Sequence, residues 1–500
     1  MLPRAIAPGA ERFDLVVIGG GTAGLVASAG AASLGARTAL IERERLGGEC
    51  LWTGCVPSKA LVGTARIAAI MRRAGDFGLG PEEPVPQPTS PLRQPVLGKG
   101  VLDSVRAVRE RVQPHDDPER FRRLGVEVLE GEPACLLSPT RVSAGGRILE
   151  ARSILVATGS RTDLPPVEGL EGAGFYTHET AFEDRELPES VVILGAGPIG
   201  VEFAQAYSLL GVAVTIVELA PGLLPREDPE LAGLVEERLR EDGVRVLTGH
   251  VATRAGTRAG RSTLHVRAID DASDEGRAIE AQRIFVATGR RANIEGLGLG
   301  AAGVDASPEG IRVDDRLRTT QKRIFAAGDV IGGLRFTHVA DHEARTVVRN
   351  ALFPFPVRAD YSVVPWVVFT DPPLARVGLT EEEAKQRHGK VRIYRYDLAD
   401  LDRMIADRGR GGLVKLVTDR RGRLLGGHVL APSAGTMIVE VALAMKHGVS
   451  VAGLSTLIHP YPTMSEGIRR AADMYYRTKL TDRSRSWLDR YFRLDRRLRP

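Results

Sequence analysis

The sequence holds only three cysteines in 500 residues, Cys50, Cys55 and Cys135. So few exclude a disulfide-stapled secreted scaffold, and point any pair among them to redox or metal chemistry. Long apolar runs are missing as well; no stretch approaches the ~18 unbroken apolar residues of a membrane span. Met1 to Arg12 lacks the apolar core of a signal peptide, so a cytoplasmic setting is expected. The body of the chain also lacks an excess of charge. Of the net +5, Arg477 to Pro500 carries +6 (nine Lys or Arg against three Asp), leaving the rest at −1. A near-neutral body gives no reason to expect a nucleic-acid partner.

Glycine, by contrast, is abundant at 56 residues. With 43% hydrophobic and 26% charged residues, the composition is that of a soluble globular protein. The length exceeds one core and implies about three domains. A buried strand, Asp14 to Ile18, runs into Gly19-Gly20-Gly21-Thr22-Ala23-Gly24, then an Ala-rich helix to Leu34 and a strand from Arg37 to Glu42. The same grammar returns at Val191, with Gly195-Ala196-Gly197-Pro198-Ile199-Gly200, a helix to Leu210 and a strand from Ala213 to Glu218.

In such βαβ units the first glycine permits the tight turn, the second lets backbone amides approach a pyrophosphate, and the third packs helix on strand. The acid closing each second strand, Glu42 or Glu218, suits ribose hydroxyls. Gly19, Gly21, Gly24 and Glu42 therefore form one dinucleotide site, and Gly195, Gly197, Gly200 and Glu218 another. Glu218 would repel a 2′-phosphate, which favours NADH over NADPH; Arg226 is the residue that could reach in for one.

Between these units, Gly80 to Gln94 is Pro-rich and reads as an extended surface excursion, followed by a charged helix from Val101 to Gln113. From about Tyr361 short strands (Val363 to Phe369, Val414 to Thr418, Gly426 to Leu430) and helices (Glu381 to Arg387, Met437 to His447) announce an α+β domain.

The segment Gly47-Gly48-Glu49-Cys50-Leu51-Trp52-Thr53-Gly54-Cys55-Val56-Pro57-Ser58-Lys59 puts two cysteines where one disulfide can span them at the start of a helix. Pro57 suits a first helical turn, and the helix dipole with Lys59 would favour a Cys55 thiolate. A metal site would need further Cys or His ligands, which are not nearby; two buried spectator thiols are the other alternative.

This element resembles that of the pyridine nucleotide–disulfide oxidoreductases, among them dihydrolipoamide dehydrogenase, glutathione reductase and mercuric reductase, and the likeness runs over almost the whole chain. Val156-Ala157-Thr158-Gly159 and Val286-Ala287-Thr288-Gly289-Arg290-Arg291 look like the family's two interdomain crossovers. Ile324 to Asp329 is similar to its second FAD motif, and Val368 to Thr380 to the start of its dimerisation domain.

The resemblance implies an α/β fold with two Rossmann-like domains and a C-terminal α+β dimerisation domain, in a homodimer. FAD would bind residues 1–165 and 288–357, NAD(P) residues 166–287, with dimerisation through 358–480 and a basic tail at 481–500. Gly48, Lys59, Thr158, Gly159, Asp329, His338 and Ala340 join the FAD set; Glu202 and Gly289 join the NAD(P) set. Glu202 would pair with Lys59 beside the flavin. Hydride from the nicotinamide would reach the flavin on one face, with Cys55 against the other and Cys50 exchanging with substrate through a redox-active Cys50–Cys55 disulfide. No resident metal is implied.

The likeness fails at one element. The family's disulfide reductases carry His-Pro-Thr-x-x-Glu, supplied by the partner subunit, whose His moves protons in thiol exchange. Here Tyr461-Pro462-Thr463-Met464-Ser465-Glu466 keeps Glu466 but has Tyr461, whose ordinary pKa near ~10 makes a poor shuttle. His459 is the substitute at hand. Mercuric reductases also have Tyr there, yet no cysteine follows Cys135 to deliver metal, nor is a detached metal-binding domain recognised. The expectation is a mercuric-reductase-like enzyme with a soft metal ion or quinone-like oxidant as acceptor. A dithiol/disulfide oxidoreductase like dihydrolipoamide dehydrogenase is the alternative. A membrane-surface electron-transfer or redox-sensing flavoprotein, docked through the Arg-rich tail, is a third.

Two smaller expectations complete the reading: Cys135 as a small buried hydrophobe, and Asp117 of His115-Asp116-Asp117 as a helix cap. In the tail, Trp487, Leu488, Tyr491, Phe492, Leu494 and Leu498 are spaced as an apolar stripe. It suits an anionic membrane surface or, as the plainer expectation, packing on the dimerisation domain or a solvated end.

Overall fold

A computed structural model of the chain describes residues 11–79, 100–270 and 276–499, which form two compact units. The Pro-rich stretch Gly80 to Gln94 lies outside the described residues. The first unit takes residues 1–71, 87–219 and 243–360. Its largest sheet grows from the strand Glu11–Ile18, which pairs in parallel with Thr38–Glu42 on one side and Arg147–Val156 on the other. Val126–Glu130 extends it beyond Thr38–Glu42, and Ile324–Ala326 returns from far along the chain to pair in parallel with Arg147–Val156. Leu15 and Val17 face one core and Val16 and Ile18 another, so this strand is buried on both faces.

A second parallel sheet in the same unit runs Arg245–Leu247, Ala213–Val217, Ser190–Leu194, Arg283–Val286, Phe175–Tyr176. Short strands Ser160–Thr162 and Arg290–Ala292 pair antiparallel where the chain leaves the first sheet and comes back to it. This brings the two expected crossovers side by side.

The second unit takes residues 72–86, 220–242 and 361–500. Its sheet is antiparallel, in the order Pro365–Val368, Leu374–Gly378, Leu424–Leu430, Leu413–Thr418, Arg392–Asp397. The helices Ala434–Lys446 and Glu466–Arg477 share its core through Met437, Val441, Ile468 and Ala472. Thr380 and Glu383 close a capping box on the helix Glu381–His388.

Residues 220–242, which the sequence assigns to the 166–287 domain, group instead with this unit. Buried Lys415 is the physical reason: its Nζ binds Asp228, Glu230 and Glu381 at 2.9, 2.8 and 2.9 Å. A lone ammonium there would be costly, so the carboxylates that surround it tie the two segments together. Asp228 also caps the helix Pro229–Glu241, with Pro229 in its first turn.

Candidate active site

Both glycine-rich turns are built the same way. Gly19 and Gly195 have φ of +107° and +97°, and a Cβ on either would lie 2.4 Å from Ala157 O or 2.6 Å from Ala287 O. A Cβ on Gly24 or Gly200 would lie 1.8 Å from Gly19 O or 2.0 Å from Gly195 O. Only glycine fits at these four positions. The middle glycines are different: Gly197 has nothing within 4 Å of its would-be Cβ, and Gly21 only the Cα of Gly48, at 3.9 Å.

The helices Thr22–Ser33 and Pro198–Leu209 begin at Gly21 and Gly197 with no side chain capping either. Each turn therefore offers open space and helix-terminal amides to an anion, as a dinucleotide pyrophosphate requires. Glu42 Oε2 accepts from Gly20 N, and Glu218 Oε2 from Ala196 N, both at 2.6 Å, which fixes each acid at the mouth of its turn. These residues fit two dinucleotides.

Asp329 and Ala340 adjoin the first turn. A Cβ on Gly328, beside Asp329, would come 3.3 Å from Ala23 Cβ and 3.6 Å from Ala340 Cβ. Thr158 and Gly159 are tied to the returning chain, Thr158 Oγ1 donating to Asn293 O at 2.7 Å and Gly159 O accepting from Asn293 N at 3.0 Å. Gly289 O accepts from Asp163 N at 3.0 Å, and the ring of exposed His338 stacks on Phe336.

Cys50 lies in the short helix Gly48–Trp52, and Cys55 opens the helix Cys55–Arg72. Gly47 has φ +104°, and Gly48 approaches Gly21 so closely that its Cβ would lie 2.6 Å from Gly21 Cα. The cysteine-bearing loop is thus held against the first nucleotide turn. The two sulfurs are not bonded to each other in this structure, whereas the resemblance implied a disulfide between them. Thr337 Oγ1 touches both sulfurs, at 3.2 Å from Cys55 Sγ and 3.6 Å from Cys50 Sγ.

The two thiols are electrostatically unlike. The hydrogen bond from Cys50, then Thr337 and Lys59, hold Cys55 down to about 6 against the effect of burial and of Glu49. The same hydrogen bond, together with burial, pushes Cys50 upward. Of the pair, Cys55 is thus the sulfur that favours the thiolate and Cys50 the one that favours the thiol. The expected Lys59 contribution is one part of the cause, smaller than the hydrogen bonds from Cys50 and Thr337. Lys59 Nζ donates to Glu202 Oε2 at 2.8 Å, the pairing that the family resemblance implied.

Sequence reasoning missed a second network around Glu49. Its carboxylate accepts from Arg290, and His178 Nε2 lies 2.8 Å away. Burial pushes Glu49 upward, but His178 and Arg290 outweigh it and hold the carboxyl at about 2. Arg290 also donates to Ser160 Oγ, which in turn donates to Asp329 Oδ2 at 2.7 Å. A continuous chain of polar contacts thus joins the residue before Cys50 to the second FAD motif. Buried Glu343, accepting from Gly328 N at 2.7 Å, was missed too. Glu49 had a sequence signal, an acid beside a reactive thiol; Thr337, His178 and Glu343 had none.

His459, Tyr461 and Glu466 belong to the second unit. Tyr461 is 70% exposed and donates to Asp402 Oδ2 at 2.8 Å. Both nitrogens of His459 are engaged, Nδ1 with Leu457 O at 3.1 Å and Nε2 with Glu440 at 3.1 Å. It therefore offers no free ring nitrogen as a substitute shuttle. Glu466 accepts from Arg469 and Arg470 at 2.8 and 3.1 Å, rather than from an imidazole. Cys135 is half-buried on the strand Ala134–Ser138, not fully buried as expected, and a Cβ on Gly298 would come 2.8 Å from its sulfur. Asp117 caps the helix Pro118–Arg123 as expected.

Two dinucleotide turns and an unequal thiol pair, within one unit, are the working parts of a redox enzyme that passes electrons between a bound nucleotide and sulfur. The chain belongs to the pyridine nucleotide–disulphide oxidoreductases: that family matches residues 13–344, and its dimerisation domain residues 364–472. It is an FAD-dependent enzyme with NAD(P)H as electron donor. The dimerisation domain supports a homodimer.

The chain is similar to the dihydrolipoyl dehydrogenase of Bacillus subtilis (strain 168), at 33% identity over 93% of this chain and 98% of that protein. It is likewise similar to mercuric reductases of Bacillus cereus (33%, over 92% of this chain and 71% of that one) and Streptomyces lividans (34%, 93% and 96%). Among solved structures it resembles a Cu(II) complex of the HOCl-induced flavoprotein disulfide reductase RclA from Escherichia coli. That match has a TM-score of 0.79 at 27% identity, covering 93% of this chain and 99% of that one.

Proposed function

We propose that this enzyme uses NADH to reduce a soft metal ion or a quinone-like oxidant through Cys50 and Cys55, in the manner of mercuric reductases. The observation that carries the reading is the unequal thiol pair on Thr337, beside the Lys59–Glu202 ion pair. FAD, when bound, supplies the two-electron carrier between nicotinamide and sulfur.

The chain's own residues do the rest. Gly19, Gly21, Gly24 and Glu42, with Thr158, Asp329 and Ala340, hold the flavin nucleotide. Gly195, Gly197, Gly200 and Glu218 hold NADH, whose free ribose hydroxyls suit Glu218 better than a 2′-phosphate does. Two electrons and one proton open the Cys50–Cys55 bond to a Cys50 thiol and a Cys55 thiolate. Lys59 steadies that thiolate, and Glu202 fixes Lys59. Transfer of two electrons to one Hg(II), or of one each to two Cu(II), restores the disulfide and releases the Cys50 proton.

The acceptor class rests on Tyr461 and His459. Tyr461 donates its proton to Asp402, and His459 spends both nitrogens on Leu457 and Glu440, so neither serves as a ready base for dithiol exchange. A metal ion bound by sulfur needs no such base. RclA, a Cu(II)-binding relative by its description, and the mercuric reductases are consistent with this choice. Dihydrolipoamide remains the second reading, favoured by the identity to the dihydrolipoyl dehydrogenase.

NADH oxidation by the holoenzyme should be measured against Hg(II), Cu(II), a quinone and lipoamide. Metal or quinone turnover exceeding lipoamide turnover by about 100-fold or more is expected, the usual worth of a missing general base. Lipoamide as the fastest acceptor overturns the choice of acceptor. A Cys55→Ser protein that kept the long-wavelength thiolate–flavin absorbance after two-electron reduction would overturn the relay itself.

A further inference from the structure

The helix Asp482–Leu498 plays no part in the redox site. Among the described residues, every hydrogen bond, ion pair and ring contact of residues 482–499 stays within residues 479–499. Four of its apolar side chains are exposed, Trp487 at 64%, Leu494 at 58%, Phe492 at 51% and Tyr491 at 49%, while Leu488 is half-buried. At 3.6 residues per turn, Trp487, Leu488, Tyr491 and Leu494 share one face. The Trp487 and Tyr491 rings stack along it, 5.9 Å apart and inclined by 13°.

The charges are arranged around that face rather than scattered. Arg483, Arg490 and Arg497 flank it on one side, and Arg485 and Arg496 on the other, next to Phe492. Asp482, Asp489 and Arg493 fall on the opposite pole, and Asp495, which lies within the apolar face between Tyr491 and Leu488, is paired with Arg499 at 3.1 Å. An aromatic stripe between two arginine rows, with two of the three acids turned away and the third paired with Arg499, matches the interface between acyl chains and anionic headgroups. A second copy of the same face is a poor cover, because pairing two such helices sets arginine rows against arginine rows. Arginine stems can lie along the apolar face while their guanidinium groups reach outward.

We propose that this helix is a peripheral membrane anchor that lies flat on an anionic lipid surface, with Trp487, Tyr491 and Leu494 at the acyl boundary and the flanking arginines on phosphate and carboxylate headgroups. The site reduces its acceptor as before; the helix sets where it does so. No helix among the described residues is long and apolar enough to cross a membrane, so the contact is one of surface adsorption. The proposal stands apart from the choice of acceptor, and its failure would leave that choice untouched.

The test uses full-length holoenzyme sedimented with phosphatidylcholine vesicles, with and without phosphatidylserine. Binding at least about tenfold tighter to the phosphatidylserine vesicles is expected, weakening as salt screens the arginines. Removal of residues 481–500 should abolish sedimentation and leave NADH oxidation in solution unchanged. Combined Arg483→Gln, Arg490→Gln and Arg497→Gln substitution should weaken binding on the order of 100-fold, from about fivefold per headgroup contact. The tryptophan emission shift on vesicles should vanish in Trp487→Phe, leaving Trp52 and Trp366 as unresponsive references. Equal binding to both vesicle types, or none, overturns the proposal. So does a truncation that changes the oligomer mass by light scattering without altering sedimentation, which would assign the face to a second copy. Tighter binding of polyglutamate than of phosphatidylserine vesicles would overturn it in favour of an acidic protein.

Discussion

The two glycine-rich turns are almost superimposable in design, yet their middle glycines face different surroundings. At Gly197 a Cβ would meet nothing within 4 Å, whereas the loop bearing Cys50 crosses beside Gly21, its Gly48 so near that a Cβ there would lie 2.6 Å from Gly21 Cα. One cradle is open and the other has the thiol loop against it. The comparison teaches that the turn supplies only anion binding, and that the chemistry comes from what the rest of the chain lays across it.

The largest effects should come from breaking one cradle and sparing the other. Gly24→Ala forces a methyl 1.8 Å from Gly19 O, and Gly200→Ala one 2.0 Å from Gly195 O. Gly24→Ala should weaken FAD retention on the order of 100-fold, read by flavin absorbance after gel filtration. Gly200→Ala should keep its flavin and lose NADH-driven reduction by a similar factor. Equal loss of flavin in both variants would erase the distinction between the two turns.

Next in size is the thiol pair that only the first cradle possesses. With Cys55 held at about 6, its thiolate is present above that pH and disappears as pH falls below it. Alkylation by iodoacetamide and the long-wavelength absorbance of the reduced holoenzyme should both follow this titration. Lys59→Met removes a charge that lowers the Cys55 value, so its midpoint should move up; Glu49→Gln removes one that raises it, so the midpoint should move down. A midpoint that ignored both changes would show that neither side chain acts on the sulfur.

A smaller effect concerns stability. Glu49 is held at about 2 by His178 and Arg290, below its ordinary value of 4.5. A depressed carboxyl stabilises the folded state above its unfolded value, and that contribution fades as pH drops from about 4.5 toward 2. Acid denaturation of Glu49→Gln should accordingly be less steep over that range than that of the parent. Smallest is nucleotide choice: Glu218→Ser should narrow the preference for NADH over NADPH by about tenfold in kcat/KM, with little change in the flavin cradle.

Much of this was readable beforehand because it depends on short-range rules. Both βαβ units, the position of Cys55 at a helix start and the Asp117 cap follow from turn chemistry and strand–helix spacing within a few tens of residues. The pairing of Lys59 with Glu202 was implied by resemblance, since the two residues are 143 positions apart. Thr337 went unseen for a plainer reason: an exposed hydroxyl at a helix start has no pattern of its own until two sulfurs are set against it. The grouping of residues 220–242 with the second unit was hidden as well, because a single buried lysine, Lys415, selects its carboxylates through space.

The sequence by itself determined where nucleotides can bind, since glycine is required wherever a backbone carbonyl leaves no room for a Cβ. It also determined that two sulfurs, with four residues between them, stand at the start of a helix. The helix start and Lys59 already pointed to Cys55 as the thiolate; tertiary structure alone added Thr337, which reaches both sulfurs from a stretch of chain 282 positions away from Cys55. Electrostatics acts over ångströms of space rather than along the chain, and only the folded molecule brings those groups within reach.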